Sequence, residues 1–204
     1  MMEYEPDVCD PSGEKIHITY DQLRSELISS CSRTGLAKAV IDDHLIALSE
    51  NNKYHPVKEW LEQGEWDGVE RVESVIKCLN AEDQELAKII MKRWLVGCVA
   101  AVYEPYFNNK LVPVLQGGQT FKKTAFIQRI ANVIPNAYVE GEELNPDNKD
   151  SVLTSIRAWI VELGELERTS KNSQGALKAF LTKGVDSVRP PYGRKDIKKP
   201  RQTL

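Results

Sequence analysis

The stretch VLQGGQTFKKTAF, Val114 to Phe126, decides how the rest of the chain is read. Gly117 opens a G-x-x-x-x-G-K-[ST] pattern and Lys123-Thr124 closes it, but Lys122 stands where the second glycine belongs. Glycines serve such a loop because successive backbone N–H groups must curl round a phosphate at the positive end of the following helix. A lysine then meets the β- and γ-phosphates and a hydroxyl holds magnesium. On this reading Gly117, Gly118, Gln119, Thr120, Phe121 and Lys122 form the cradle, with Lys123 on phosphate and Thr124 on Mg2+.

The relaxed pattern turns up by composition alone in about one chain in ten of this length, so its surroundings matter more than its letters. The apolar run LVPVL (Leu111 to Leu115) precedes it and TAFIQRIANVI follows, which predicts strand, loop and helix in the order the motif requires. Pro113 places that strand at an edge or near its start, because proline donates nothing to a ladder. Lys122 has two readings. If the position needs a left-handed backbone, a side chain there costs roughly 1–2 kcal/mol, about a tenfold loss of affinity; otherwise the lysine points outward and adds positive charge.

A magnesium nucleotide site also needs carboxylates at the end of a neighbouring strand. AWIVELGELE (Ala158 to Glu167) supplies an apolar strand ending in Glu162, with Glu165 just past Gly164. Glu162 is assigned to Mg2+ through water and Glu165 to positioning the attacking water; the alternative is a solvated strand exit. Further on, VRPPYGRKDIKKPRQ carries Arg189, Arg194, Lys195, Lys198, Lys199 and Arg201 among three prolines. These cations suit nucleic-acid phosphates, or an arginine offered to a neighbouring subunit's nucleotide, with Arg194 the candidate. A charged, solvated loop is the plainer alternative.

Outward from these motifs, the 204 residues are ordinary globular composition, 41% hydrophobic and 28% charged. A net charge of -3 excludes coating nucleic acid by bulk charge. The four cysteines are scattered without C-x-x-C spacing, so neither a zinc site nor a disulfide framework is expected. No long apolar run occurs and the start, MMEYEPDVCDPSGEK, is acidic, which points to a cytoplasmic protein without membrane contact. Residues 1–15 read as a flexible acidic tail and 16–105 as a helical region. In that region Thr19-x-x-Gln22 is a capping box and Thr34-Gly35 introduces a second helix. Pro56 opens a third helix, Asp67-Gly68 makes a turn, and Asn80 caps the longest helix. Its apolar face is read as Leu86, Ile89, Ile90, Trp94, Val96, Gly97, Ala100 and Ala101. Residues 106–204 alternate strands and helices, with helices starting at Asn145-Pro146 and Ser173, and the fold class is α/β: a helical region followed by a partial P-loop NTPase core with a parallel sheet.

In chain order YHPVKEWLEQGEWDGVERV, RWLVGCVAAVYEP, the loop, WIVELGELE and RPPYGRKDIKKPRQ together resemble the virulence-associated protein E family. The family comprises P-loop ATPases of phages and mobile elements, related to superfamily 3 helicases and phage primase-helicases. The resemblance implies ATP-dependent replication work on DNA by a homo-oligomeric ring, with Lys123 and Thr124 at ATP and Glu162 and Glu165 at the acidic motif. Two departures stand out: Lys122, and an end at PRQTL where the family continues into a strand with a polar sensor residue. The core is therefore read as truncated, and the rival reading is a non-catalytic helicase-like module that binds or inhibits a full-length replication partner or host protein.

Overall fold

A computed structural model of the chain describes residues 7–9, 15–51, 53–107, 109–142, 145, 148–164, 171–189 and 196–203. The chain divides into two compact units, Glu3–Tyr54 and His55–Leu204. In the first, β1 (Asp7–Cys9) pairs antiparallel with β2 (Lys15–His17), Val8 opposite Ile16, inside and just beyond the stretch read as a tail. Helix α1 (Tyr20–Thr34) starts at the expected capping box: Gln22 N donates to Thr19 Oγ1 at 3.2 Å and Thr19 N to Gln22 Oε1 at 2.8 Å. Gly35 ends this helix rather than starting the next. Its φ of 74° is the left-handed C-cap that glycine adopts without a Cβ penalty. Helix α2 (Val40–Asn51) follows, joined to α1 by the Arg24–Asp42 ion pair at 3.3 Å.

The second unit begins with α3 (Pro56–Glu62), whose proline sits in the first turn as expected. His55 caps it, Nδ1 accepting from Lys58 N at 3.3 Å. Burial holds the imidazole below its ordinary pKa of 6.5. The Asp67-Gly68 turn is closed by Arg71, which donates to both Asp67 oxygens, and leads into α4 (Val72–Lys77). Helix α5 (Gln84–Tyr103) is capped by Asp83, accepting from Leu86 N at 2.9 Å, while Asn80 takes a left-handed turn conformation.

The buried face of α5 is rotated from the expected one. Met91, Trp94, Gly97, Cys98, Ala101 and Val102 are inside, whereas Leu86, Ile89 and Val96 are more than half exposed. Trp94 is core, as expected. The helix is apolar nearly all round from Leu95 to Val102, so periodicity alone left the angle of its core face undetermined. Gly97 makes room for Asn109: a Cβ would lie 2.2 Å from its Nδ2 and displace that side chain, whose Oδ1 accepts from Leu111 N.

After α5 come α6 (Lys123–Ala131), β3 (Tyr138–Glu142), α7 (Lys149–Ser155), β4 (Ile160–Leu163), α8 (Lys171–Leu181), β5 (Val185–Val188) and β6 (Ile197–Pro200). The architecture is mixed α/β with a small parallel sheet: β3 pairs parallel with β4, Tyr138 opposite Ile160 and Val139 opposite Val161. The expected strand at Leu111–Leu115 forms no ladder among the described residues. Pro113 has no N–H to give, Val112 and Val114 face outward, and only Leu111 packs on the core. Helix α7 is capped by Asn148, whose side chain accepts from Asp150 N and Ser151 N; Pro146 lies outside the described residues. Helix α8 begins at Lys171, two residues before the expected cap at Ser173.

One core joins α3, α4, α5, α6 and the β3–β4 pair through Val57, Ile76, Met91, Trp94, Cys98, Val102, Ala131, Ala137, Trp159 and Ile160. Trp159 Nε1 donates to the Cys98 carbonyl at 2.8 Å, fastening the start of β4 to α5. Burial pushes the Cys98 thiol up to about 12, which makes it an inert core group.

The β5–β6 hairpin is antiparallel, Val185 opposite Pro200 through Val188 opposite Ile197. Beyond it Arg201 is not part of a solvated basic segment. Its side chain is 9% exposed and makes a bidentate pair with Asp186 (3% exposed), at 2.5 Å and 2.8 Å. The same guanidinium donates to the Phe180 carbonyl and lies 3.9 Å from the Phe180 ring centroid. Gln202 and Thr203 continue the stitching, donating to the carbonyls of Val102 and Ala158.

Two expectations follow. Asp186→Ala leaves a buried guanidinium unpaired and is expected to cost about 3–5 kcal/mol, read as a lowered urea midpoint; an unchanged midpoint contradicts the burial of the pair. For His55 the folded pKa lies below the unfolded one, so its contribution is present above about pH 6.5 and is lost as pH falls through the folded value. The drop in stability between pH 7.5 and 5.5 is expected to shrink in His55→Asn, which keeps an N-cap acceptor but does not titrate.

Candidate functional site

The site is assembled where α6 meets the sheet. Ala131 is buried, and Phe126 and Ile127 pack against the core that holds Ala137 and Ile160, so the helix lies on β3 and β4. That packing carries the first turn of α6 to β4. Thr124 Oγ1 donates to Glu162 Oε1 at 2.7 Å, a contact across 38 residues of sequence. Lys123 folds back over the loop, its Nζ donating to the carbonyls of Gly117 at 2.5 Å and Gly118 at 3.2 Å.

Between them the chain makes a tight turn, Phe121 N donating to Gly118 O at 3.3 Å. The Phe121 ring is 74% exposed and lies against the two glycines; a Cβ at Gly118 would meet it at 3.1 Å. Gln119 and Thr120 occupy the exposed apex of the loop. Lys122 is the N-cap of α6 with φ 50° and ψ 36° and makes no side-chain cap bond. The backbone takes the left-handed conformation of the first reading, where glycine would be at ease, and the residue is exposed, as the second reading has it. A side chain in this conformation costs the fold roughly 1–2 kcal/mol.

The second oxygen of Glu162 is also engaged. Tyr138, the first residue of β3, donates its hydroxyl to Oε2. Burial, reinforced by the hydrogen bond to the Glu162 carboxylate, pushes this phenol well above the ordinary tyrosine range. Sequence reasoning missed Tyr138 because it did not identify β3. The available signal was YVEGE, a β-prone pair after the Pro135-Asn136 turn, where Asn136 has φ 62°.

Of the other expected site residues, Glu165 and Arg194 lie outside the described residues. Arg189 pairs with Asp196 at 3.6 Å across the base of the hairpin connection, and Lys198 is exposed on β6. Among the described residues no group of three or more His, Cys, Asp or Glu could hold a metal on its own. A hydroxyl and one carboxylate nevertheless suit Mg2+, which takes few protein oxygens and keeps waters and substrate phosphates for the rest. Thr124 and Glu162 are the residues that would hold it.

The strain at Lys122 is measurable without any ligand. Lys122→Gly is expected to stabilise the fold by roughly 0.5–1 kcal/mol, the left-handed relief of about 1–2 kcal/mol less the added backbone entropy of glycine. Lys122→Ala should bring no such gain, and equal urea midpoints for the two variants would contradict the left-handed assignment.

Among the described residues no helix is long and apolar enough to cross a membrane. No curated protein matches the chain. The model of the virulence-associated protein E-like domain matches residues 61–204, a span that holds the loop, α6, β3, β4 and the β5–β6 hairpin and covers well over half of the sequence. The chain belongs to the virulence-associated protein E-like domain family.

Proposed function

We propose that the loop and α6 form a Mg2+–ATP site and that the protein is an ATP-hydrolysing, helicase-like DNA replication protein of a phage or other mobile element. The observation that carries this reading is the Thr124–Glu162 hydrogen bond. A hydroxyl that follows the loop lysine and a carboxylate from the neighbouring parallel strand are the two protein groups such a site needs beside the cation. Nothing in local sequence forces them together.

Each residue then has a task. The amides at the start of α6, which has no side-chain cap, face anion with the positive end of the helix behind them. The Lys123 ammonium, satisfied by two backbone carbonyls, exchanges those for phosphate oxygens. The chemistry that Mg2+ would supply there is neutralisation of charge on the phosphates. Thr124 and Glu162 are the residues that would hold the ion, Glu162 through water. Glu165 is assigned to orienting the attacking water, and Arg194 to a neighbouring subunit's nucleotide in a ring. DNA phosphates are assigned to the basic hairpin β5–β6, through Lys198 and the segment around Arg194. Arg201 is excluded from that role by its pairing with Asp186.

A second reading is favoured by one specific observation: the segment before the loop, Leu111–Leu115, is not paired into the sheet. A loop without a ladder-bound strand behind it suits a helicase-like module that joins a replication partner or full-length ring without turning over ATP.

Equilibrium binding of a fluorescent ATP analogue with Mg2+ separates the two. On the leading reading wild type binds, Lys123→Ala loses at least about tenfold in affinity, as expected for a charge-assisted contact worth roughly 1.5–3 kcal/mol. Lys122→Gly stays within about fivefold of wild type, because the strain is assigned to folding and an exposed charge is worth under about 1 kcal/mol. Binding that ignores Lys123, or no binding by any of the three proteins, defeats the ATP-site reading and leaves the interaction module.

A further inference from the structure

Glu162 is held at both ends of its carboxylate, and the second donor is a residue to which the ATP-site reading gives no task. Thr124 Oγ1 occupies Oε1 and the Tyr138 hydroxyl occupies Oε2. In the parallel register Tyr138 lies opposite Ile160, two residues before Glu162, so both side chains emerge on one face of the sheet. The two residues are 24 apart in sequence and lie on adjacent strands. The Tyr138 ring packs against the core beside Ala137 and Ile160, which anchors its hydroxyl on a rigid arm.

A glutamate has three side-chain torsions, and the last is broad and roughly two-fold. One hydrogen bond to Thr124 leaves the carboxylate free to swing about that contact. A second donor on the opposite oxygen fixes the plane, and with it the direction in which Oε1 faces. Metal sites depend on such outer partners: removing one typically costs 10–100-fold in metal affinity or activity.

We propose that Tyr138 is a positioning residue for the Mg2+ side of the site, clamping Glu162 by Oε2 so that Oε1 is presented beside Thr124 where the metal would be held. The inference rests on the ATP-site reading above and deepens it. It concerns how tightly the metal is taken, and not how the phosphates are gripped, which falls to Lys123 and the loop amides.

The test uses Tyr138→Phe, which keeps the ring and its packing and removes only the hydroxyl. A fluorescent ATP analogue is titrated first in EDTA and then against rising Mg2+, on wild type, Tyr138→Phe, Glu162→Gln and the double variant, with melting temperatures recorded for all four. The expected result is that Tyr138→Phe raises the Mg2+ concentration for half-maximal binding by about tenfold or more, with metal-free binding and melting temperature close to wild type. In the Glu162→Gln background the same change should shift that concentration little, since the clamp then has no carboxylate to orient.

An unmoved Mg2+ midpoint in Tyr138→Phe overturns the inference, as does an equal shift in both backgrounds, which would mark Tyr138 as a packing residue. A fall in metal-free binding as large as the fall with Mg2+ also overturns it. Absence of Lys123-dependent binding in wild type removes the ATP-site reading itself, and this inference with it; binding in wild type with an unmoved midpoint removes the inference alone.

Discussion

The packing of α6 on the β3–β4 pair is the constraint on which the rest of the second unit depends. The helix has one side to bury, and Phe126, Ile127 and Ala131 seat it over Ala137, Tyr138 and Ile160. That seating fixes where its first turn ends. Thr124 therefore meets a strand residue 38 positions later, and Lys123 curls over the turn that precedes it. Were the helix to slide by one turn, about 5.4 Å, the hydroxyl and carboxylate would part while every local propensity stayed satisfied.

What holds the sheet for α6 comes from far along the chain. Trp159 ties the start of β4 to the Cys98 carbonyl in α5, and Thr203 donates to Ala158 immediately before it. Gln202 reaches the Val102 carbonyl near the end of α5, and the buried Arg201–Asp186 pair ties β5 to the residue that follows β6. A two-stranded parallel sheet is marginal by itself. Here the residues that lead into β4 are tied to a long helix and to the last described residues of the chain, while Thr124 and Tyr138 hold the Glu162 carboxylate further along the strand.

Strain and satisfaction are divided unevenly across this site. Lys122 sits in a left-handed conformation that costs stability, beside a lysine and a glutamate whose polar atoms all have partners. A sequence optimised for folding alone would place glycine there. The fold carries that cost at the residue that joins the loop to α6. That division is why substitutions at Lys122 and Lys123 are expected to act on different quantities, one on folding and the other on ligand.

The sequence by itself determined the local events: the capping box at Thr19, the proline start of α3, the apolar strand before Glu162, the helix after the loop and the family that its motifs resemble. Each of these depends on residues within a few positions of one another, where backbone sterics and hydrogen-bond chemistry leave few choices. It misjudged Thr34-Gly35, Asn80 and the face of α5, where the same letters fit two ends of a helix or two sides of a broad apolar surface. Only the tertiary structure decided that Leu111–Leu115 stays out of the sheet, that Arg201 is buried on Asp186, and that Tyr138 shares Glu162 with Thr124. Those outcomes depend on which distant surfaces meet. A run of apolar residues can demand burial, but the partner that receives it is chosen by the packing of the whole unit.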